Sequence, residues 1–543
     1  MINIPILGRL NLSDYVRIVL AFTILIFEPI LRIVFAILPL RWVVDNFVKR
    51  ISGLFGPSQE EHVNGKTKTV EAVFSQLNST EEFVNFWGFP FQTHYVTTKD
   101  GYILALHRIP FSRAENLKNK NNIGRKRSHL SFDDAQPNRP VVILWHGFLM
   151  CSEVWVSSPN SLESLALTLA DAGYDVWLGN TRGNKYSCKH RKYKPNEEKF
   201  WDFSMDQLAM FDLPDSVDYI LNFTGAPSLT YIGFSQGTAQ GFSSLSINPS
   251  LNKKINLFIA LAPATKPKGL ENQTIHSLVN ASPEVIYLLF GRKALLSSVI
   301  FWQSILTPWT FSWAIDISMW GLFGWESKFM NSKHIIYRHL YSYTAVKCVV
   351  HWFQIMQNET FQMYNDSPAV MPGMQKQGYK VPTYPTSQIQ TPIAIFHGGK
   401  DTLPDIRYIL KNINEPVFCL NVQEYEHLQF LWGEGQEKVV FPAILGLLSE
   451  YSEVWQEASG DSSVDDTVVA RTVPWITNEQ IDYLYTLGQK STRDKVSNEI
   501  INTGSKVSVE LALKYGYVNP DDYELSDSKT QPTKSSLKKK KLK

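Results

Sequence analysis

One serine stands in a setting that could make it a nucleophile. Gly233-Phe234-Ser235-Gln236-Gly237 is G-x-S-x-G, preceded by the apolar run Leu229-Thr230-Tyr231-Ile232 and followed by Thr238-Ala239-Gln240-Gly241. The pentapeptide is weak by itself. Between a strand and a helix it reads as a sharp elbow, in which Gly233 and Gly237 permit the turn and the close approach of the two elements. A serine hydroxyl attacks a carbonyl at neutral pH only with a base in hydrogen-bond reach and a carboxylate to orient that base. In the chain order serine, acid, histidine, the acid falls on Asp401 in Phe396-His397-Gly398-Gly399-Lys400-Asp401, where an apolar run ends in a glycine turn. Asp405 is its rival. The base falls on His427 in Gln423-Glu424-Tyr425-Glu426-His427-Leu428, with His397 as the alternative.

The charge that develops on a carbonyl oxygen needs backbone amides aimed at it. Gln236, directly after the serine, supplies one. The second should come from the loop after an early strand, and His146-Gly147-Phe148-Leu149 follows Val141–Trp145; Phe148 is the candidate. Asn180-Thr181-Arg182-Gly183-Asn184 follows another strand end. It should brace these loops, with Arg182 paired to Asp206 or Asp212.

Strands and helices must alternate to hold these residues at one sheet edge. The pattern predicts a strand pair at 94–98 and 102–109, joined by the turn Lys99-Asp100-Gly101. It predicts strands at 141–145, 175–178, 229–233, 255–261, 393–396 and 417–422. Helices are expected at 162–172, 205–221 and 237–246. This is the pattern of an α/β fold with a mostly parallel sheet covered on both faces. It breaks between Pro267 and about Ile389, too long a stretch for an ordinary crossover. That stretch carries Tyr287, Phe290, Phe301, Trp302, Trp309, Phe311, Trp313, Trp320 and Phe323, and reads as a helical cap with an apolar underside.

The organisation expected is therefore an anchor at 1–50, an amphipathic lead-in at 51–90, a core at 91–266 and 390–450, and the cap at 267–389. Residues 111–138 read as a basic surface insertion and 453–468 as an acidic loop within an extension at 451–520. A basic disordered tail follows at 521–543, where six of the last ten residues are lysines. In the anchor, Ile18 to Leu40 is largely apolar but broken by Glu28, Pro29 and Arg32. A single span normally avoids central charges, so a re-entrant hairpin fits better than one span. A signal peptide and a buried helix are the competing readings.

Composition fits a globular chain and excludes other classes. Of 543 residues, 44% are apolar, 13% aromatic and 19% charged. That rules out a disordered, collagen-like or disulfide-scaffold chain. A net charge of +2 makes no case for nucleic-acid binding. Cys151, Cys188, Cys348 and Cys419 form no metal-type spacing. No metal or organic cofactor is called for by the proposed chemistry.

The pieces H-G-F, N-T-R-G-N, G-F-S-Q-G, H-G-G-K-D and E-H-L together resemble the acid-lipase family of α/β-hydrolases, over roughly residues 70–450. The segment Leu7-Gly8-Arg9-Leu10 through Tyr15, with the apolar stretch after it, is more similar to the fungal membrane-anchored steryl ester hydrolases. Tyr343-Thr344 to His351-Trp352-Phe353-Gln354 resembles the family's cap segment. The resemblance implies an α/β-hydrolase fold and a triad of Ser235, Asp401 and His427, with the Phe148 and Gln236 amides as oxyanion hole. It implies hydrolysis of steryl esters, or of triacylglycerols as the alternative, at a lipid droplet or membrane surface; endoplasmic reticulum and plasma membrane are the alternative locations. Animal members have H-G-L where this chain has H-G-F, which alters pocket shape and leaves the amide in place. A non-catalytic lipid-binding protein is the contrasting class.

Overall fold

The strands form where the sequence is densest in apolar residues. Val141–Trp145, Ile255–Leu261 and Ile393–Gly398 are buried along nearly their whole length, as a parallel sheet covered on both faces requires. In this computed structural model residues 71–117, 139–268, 279–366 and 381–459 are described, apart from 72 and 296 and together with 276; the side chains of 297, 298, 304 and 453–459 are excepted. The predicted anchor, about half of the lead-in, the basic insertion from residue 118 on and the chain past 459 lie outside the described residues. Among the described residues no helix is long and apolar enough to cross a membrane.

Among the described residues nine strands make one sheet: β1 (Gln92–Thr97), β2 (Tyr102–Ile109), β3 (Val141–Trp145), β4 (Asp175–Leu178), β5 (Lys189–His190), β6 (Leu229–Phe234), β7 (Ile255–Leu261), β8 (Ile393–Gly398) and β9 (Phe418–Val422). Their spatial order is β1-β2-β4-β3-β6-β7-β8-β9, with β5 beside β2. Pairings from β4 to β9 are parallel, whereas β2 is antiparallel to β1, β4 and β5. The predicted hairpin turn is present, with Gly101 at φ 103, a backbone region natural to glycine.

Alternation along the strands builds two cores, one per face. Val142 and Leu144 join one with Ile232, Phe234, Ile259 and Leu261, while Val141, Ile143 and Trp145 join the other with Tyr231 and Phe258. The first core is closed by helix α1 (Leu165–Asp171), by the terminal helix Gln436–Ser459 and by part of the cap. The second is closed by α2 (Leu213–Thr224) and α3 (Gln236–Ile247).

Three expected elements differ in detail. The helix foreseen at 162–172 begins at Leu165, because the Ser164 hydroxyl accepts the Leu167 amide and caps it there. The stretch foreseen as one helix at 205–221 starts with a Ser204/Gln207 capping box, passes through a π turn at Leu208–Asp212 and continues as α2 to Thr224. The loop foreseen from 453 is helical to Ser459, since the terminal helix keeps burying Val440, Ile444, Leu447 and Leu448 against the sheet and runs on.

Between β7 and β8 the described chain is mainly helical: α4 (Pro283–Phe290), α5 (Ser297–Ile305), α6 (Pro308–Phe323) and α7 (Val346–Gln357). The terminal helix is α8 (Gln436–Ser459).

Candidate active site

Ser235 is the turn between β6 and α3. Its φ of 51 and ψ of −118 are a conformation non-glycine residues rarely adopt, and such strain persists only where the surroundings over-determine it. Here they do. A Cβ on Gly233 would lie 2.8 Å from the Gly237 carbonyl carbon, and one on Gly237 would strike the Trp145 carbonyl oxygen. The Ser235 amide donates to Leu261 O at 3.0 Å. The Thr238 hydroxyl donates to Ser235 O at 2.6 Å and accepts the Ala264 amide at 2.9 Å. Strand, elbow and helix therefore interlock without room for side chains at either glycine.

Parallel strand ends bring the predicted partners to this elbow. His427 Nε2 lies 2.7 Å from Ser235 Oγ, and His427 Nδ1 lies 2.7 Å from Asp401 Oδ2. Asp401 follows β8, where Gly398 packs against Tyr425 O too closely for any side chain; its other oxygen accepts the Leu403 amide at 3.1 Å. Ser235 is 9% exposed and His427 4%, so substrate would react out of bulk water. The rivals stand elsewhere. Asp405 pairs with Lys266 and Lys268 and caps helix Ile406–Asn412. His397 lies within β8, in register with Asn421 of β9.

The two candidate oxyanion amides flank the serine. Among the described residues neither the Phe148 nor the Gln236 amide is taken up by a backbone acceptor. His146 sets the first. Its Nε2 accepts the Thr181 amide at 3.1 Å, so Nδ1 carries the proton and donates to Gly147 O at 2.8 Å. In a planar trans peptide the carbonyl and the next N–H point oppositely, so tying back Gly147 O turns the Phe148 N–H the other way. Burial holds His146 down to about 4, neutral and able to accept. On the other side the Gln236 carboxamide accepts Trp352 Nε1 of α7 at 2.8 Å, fastening the cap to the residue after the serine.

Arg182 braces the floor. It is fully buried and bonds Asp212 through its amide at 2.9 Å and Nε at 2.6 Å. Its terminal nitrogens bond Asp100 at 2.5 and 3.0 Å. Burial opposes its charge, and the two carboxylates outweigh that penalty. Of the two partners expected, Asp212 is found. Asp206 instead accepts the Tyr384 hydroxyl and the Tyr364 amide. Asp100, which sequence reading treated only as a turn residue, is the unforeseen partner.

Sequence reading also missed Glu153, His339 and Trp325. Glu153 is buried behind the Phe148 loop, bonded to His339 Nδ1 at 3.0 Å and to Lys185 and Tyr186. The Trp325 indole lies parallel to the His427 imidazole and offset from it, with ring centroids 5.4 Å apart at 12°. The Glu153–His339 and Trp325–His427 contacts both join the cap to the site, and the aromatic density of the cap hinted only at the second. All four cysteines are free, and no cluster among the described residues could hold a metal.

Sheet order, elbow and hydrogen-bonded series define an α/β-hydrolase fold with a serine poised for acyl transfer. The matching family models are a partial α/β-hydrolase lipase region at residues 80–159 and the α/β-hydrolase fold at 140–434. A probable lipase of Schizosaccharomyces pombe is 41% identical, over 81% of this chain and 94% of its own. Human gastric triacylglycerol lipase is 34% identical, over 68% and 90%. Human lysosomal acid lipase/cholesteryl ester hydrolase is also 34% identical, over 72% and 96%. The chain belongs to the acid-lipase family of α/β-hydrolases and is a carboxylic ester hydrolase.

Proposed function

We propose that the enzyme is a steryl ester hydrolase that releases free sterol and fatty acid through an acyl-enzyme on Ser235. The observation that carries the mechanism is the hydrogen-bonded series Ser235–His427–Asp401, 2.7 Å at each step. His427 takes the Ser235 proton as Oγ attacks the ester carbonyl. The Phe148 and Gln236 amides stabilise the oxyanion. Imidazolium His427 then protonates the departing sterol oxygen, while Asp401 holds the ring in its tautomer and favours its cation. Water, deprotonated by the same histidine, adds to the acyl carbonyl and frees the acid and the serine.

The sterol preference is supported by the fungal-type lead-in and by the cholesteryl ester hydrolase among the relatives. Triacylglycerol hydrolysis is the second reading, favoured by the gastric lipases among the same relatives. Purified enzyme assayed on cholesteryl oleate and triolein decides between them: a higher kcat/KM on triolein would refute the sterol reading. Ser235→Ala should abolish turnover of both, by about 10⁴-fold or more, in a protein with an unchanged melting profile. Undiminished activity would remove Ser235 from the mechanism, and failure of a fluorophosphonate to label wild-type Ser235 would favour a non-catalytic lipid-binding role.

Action on such insoluble esters requires contact with a lipid surface, and we assign the enzyme to a lipid droplet or membrane surface. The apolar segment 18–40 is one proposed contact. A second is the outer face of α6, where Trp309, Trp313, Ile317 and Trp320 are exposed (61%, 37%, 47% and 68%). Spaced by three or four residues, they form one stripe. Tryptophan suits the boundary of water and acyl chains.

A further inference from the structure

The triad fixes His427 in one plane only. Its two hydrogen bonds, to Asp401 and to Ser235, run along the imidazole plane. They resist sliding of the ring and leave tilting about the line between them to the rings packed on it, of which Phe234 at the end of β6 is one, with centroids 5.1 Å apart at 49°. Productive proton relay demands that both ring nitrogens stay aligned, and misplacement on the scale of 1 Å costs about 10²-fold in rate.

The chain leaving α6 meets this ring. After Gly324 ends the helix at φ 72, Trp325 is almost fully buried with its indole parallel to the imidazole. Its own Nε1 donates to Thr402 Oγ1 at 3.1 Å, beside Asp401, and Phe323 stacks on it at 4.3 Å. The next two residues are gripped by the neighbour of the histidine: Glu426 Oε1 accepts the Glu326 amide and Oε2 the Ser327 amide, each at 2.9 Å. Gln429 binds the Glu426 amide through its Oε1 and Lys328 O through its Nε2. Further on, the Glu434 amide donates to Phe329 O at 2.8 Å, and Met330 bridges to Gly433. Residues 325–330 thus run beside 426–434 as a strap.

The strap is held in an unfavourable backbone shape. Ser327 and Phe329 have φ of 50 and 60, a region costly for residues with a Cβ. The Glu326 and Ser327 amides donate to Glu426 and Phe329 O accepts the Glu434 amide, contacts that hold the strap in this shape.

We infer that the strap 325–330 positions His427: Trp325 closes one face of the imidazole, and the Glu426 carboxylate clamps the strap to the histidine loop, so the cap helix α6 sets the tilt of the ring that relays the proton. Trp325 and Glu426 are positioning residues that act through His427. The inference rests on the assignment of His427 as the base of Ser235.

The test uses the full chain, a short soluble ester (p-nitrophenyl butyrate) and a fluorophosphonate that labels the nucleophile. Trp325→Leu should lower kcat by about 10- to 100-fold with KM within about twofold, and slow Ser235 labelling by the same factor. Trp325→Phe keeps a flat ring at that face and should return kcat to within about threefold of wild type. Glu426→Gln keeps the shape but sets an NH₂ against one strap amide, and should lower kcat by about tenfold at unchanged KM. Unchanged kcat in a folded Trp325→Leu or Glu426→Gln would overturn the inference. So would a raised KM at full kcat, which would make Trp325 a pocket wall. If Trp325→Leu fails to fold, Glu426→Gln decides alone. Failure of the triad assignment is seen separately, as wild-type enzyme unlabelled at Ser235.

Discussion

Ser235, Asp401 and His427 follow β6, β8 and β9 and meet at one edge of the sheet. The reasons they work are less local. Ser235 holds a φ of 51 only because Gly233 and Gly237 let β6, α3 and the end of β3 touch. Gly237→Ala would press a methyl into the Trp145 carbonyl, which is backbone and cannot turn aside. We expect it to lower the unfolding free energy by about 2–4 kcal/mol, read from denaturant melts, and to lose activity with it. In sequence the acid falls on Asp401, with Asp405 four residues on as its rival. They separate once folded, because Asp405 points to Lys266 and Lys268 and the amide of Tyr408, while Asp401 sits under the imidazole.

At the scale of elements, the parts that sequence reading missed are those that tie the cap to the sheet. Glu153 lies in the first turn after the Phe148 loop, and His339 comes from the far side of the cap. Burial works to raise the Glu153 carboxyl, but hydrogen bonds from His339 and Lys185 overcome it and hold it down at about 2. A carboxyl depressed from 4.5 stabilises the fold fully above pH 4.5 and loses that contribution as pH falls towards 2. The loss is about 3 kcal/mol. Wild-type melting temperature should therefore drop steeply between pH 4.5 and 2. Glu153→Gln should begin lower at neutral pH and fall less over the same interval. Parallel curves for the two proteins would show that the contact carries no such linkage. The π turn at Leu208–Asp212 belongs here too: it broke the expected helix and ends on the residue that meets Arg182.

For the whole molecule, catalysis and lipid contact are expected to be separable. The described hydrolase fold begins after residue 70, and the stripe of Trp309, Trp313 and Trp320 is exposed on α6. Deleting residues 1–45 should move the enzyme to the soluble fraction of a cell lysate. Trp309→Ser combined with Trp320→Ser should weaken binding to phospholipid-coated triolein emulsions by about tenfold or more, from two exposed aromatic side chains. Both changes should leave kcat/KM on p-nitrophenyl butyrate within about threefold, measured against emulsion activity on the same preparation. Equal loss on soluble and emulsified esters would make these segments part of the fold rather than of lipid contact.

The positions of the strands along the chain and the triad candidates followed from sequence alone, since strand-forming runs, glycine turns and the residues beside them are local features, whereas the order of the strands in the sheet did not. A long aromatic insertion between two strands was legible too, as a stretch too long for a crossover. What only the tertiary structure decided are the partners: Asp100 for Arg182 across 82 residues, Asp212 rather than Asp206, His339 for Glu153, and Trp325 and Glu426 around His427. Such pairs obey no spacing rule. A side chain's charge or ring is readable anywhere in a chain, but which group it meets depends on how sheet edge and cap close over each other, and that geometry exists only once both cores are packed.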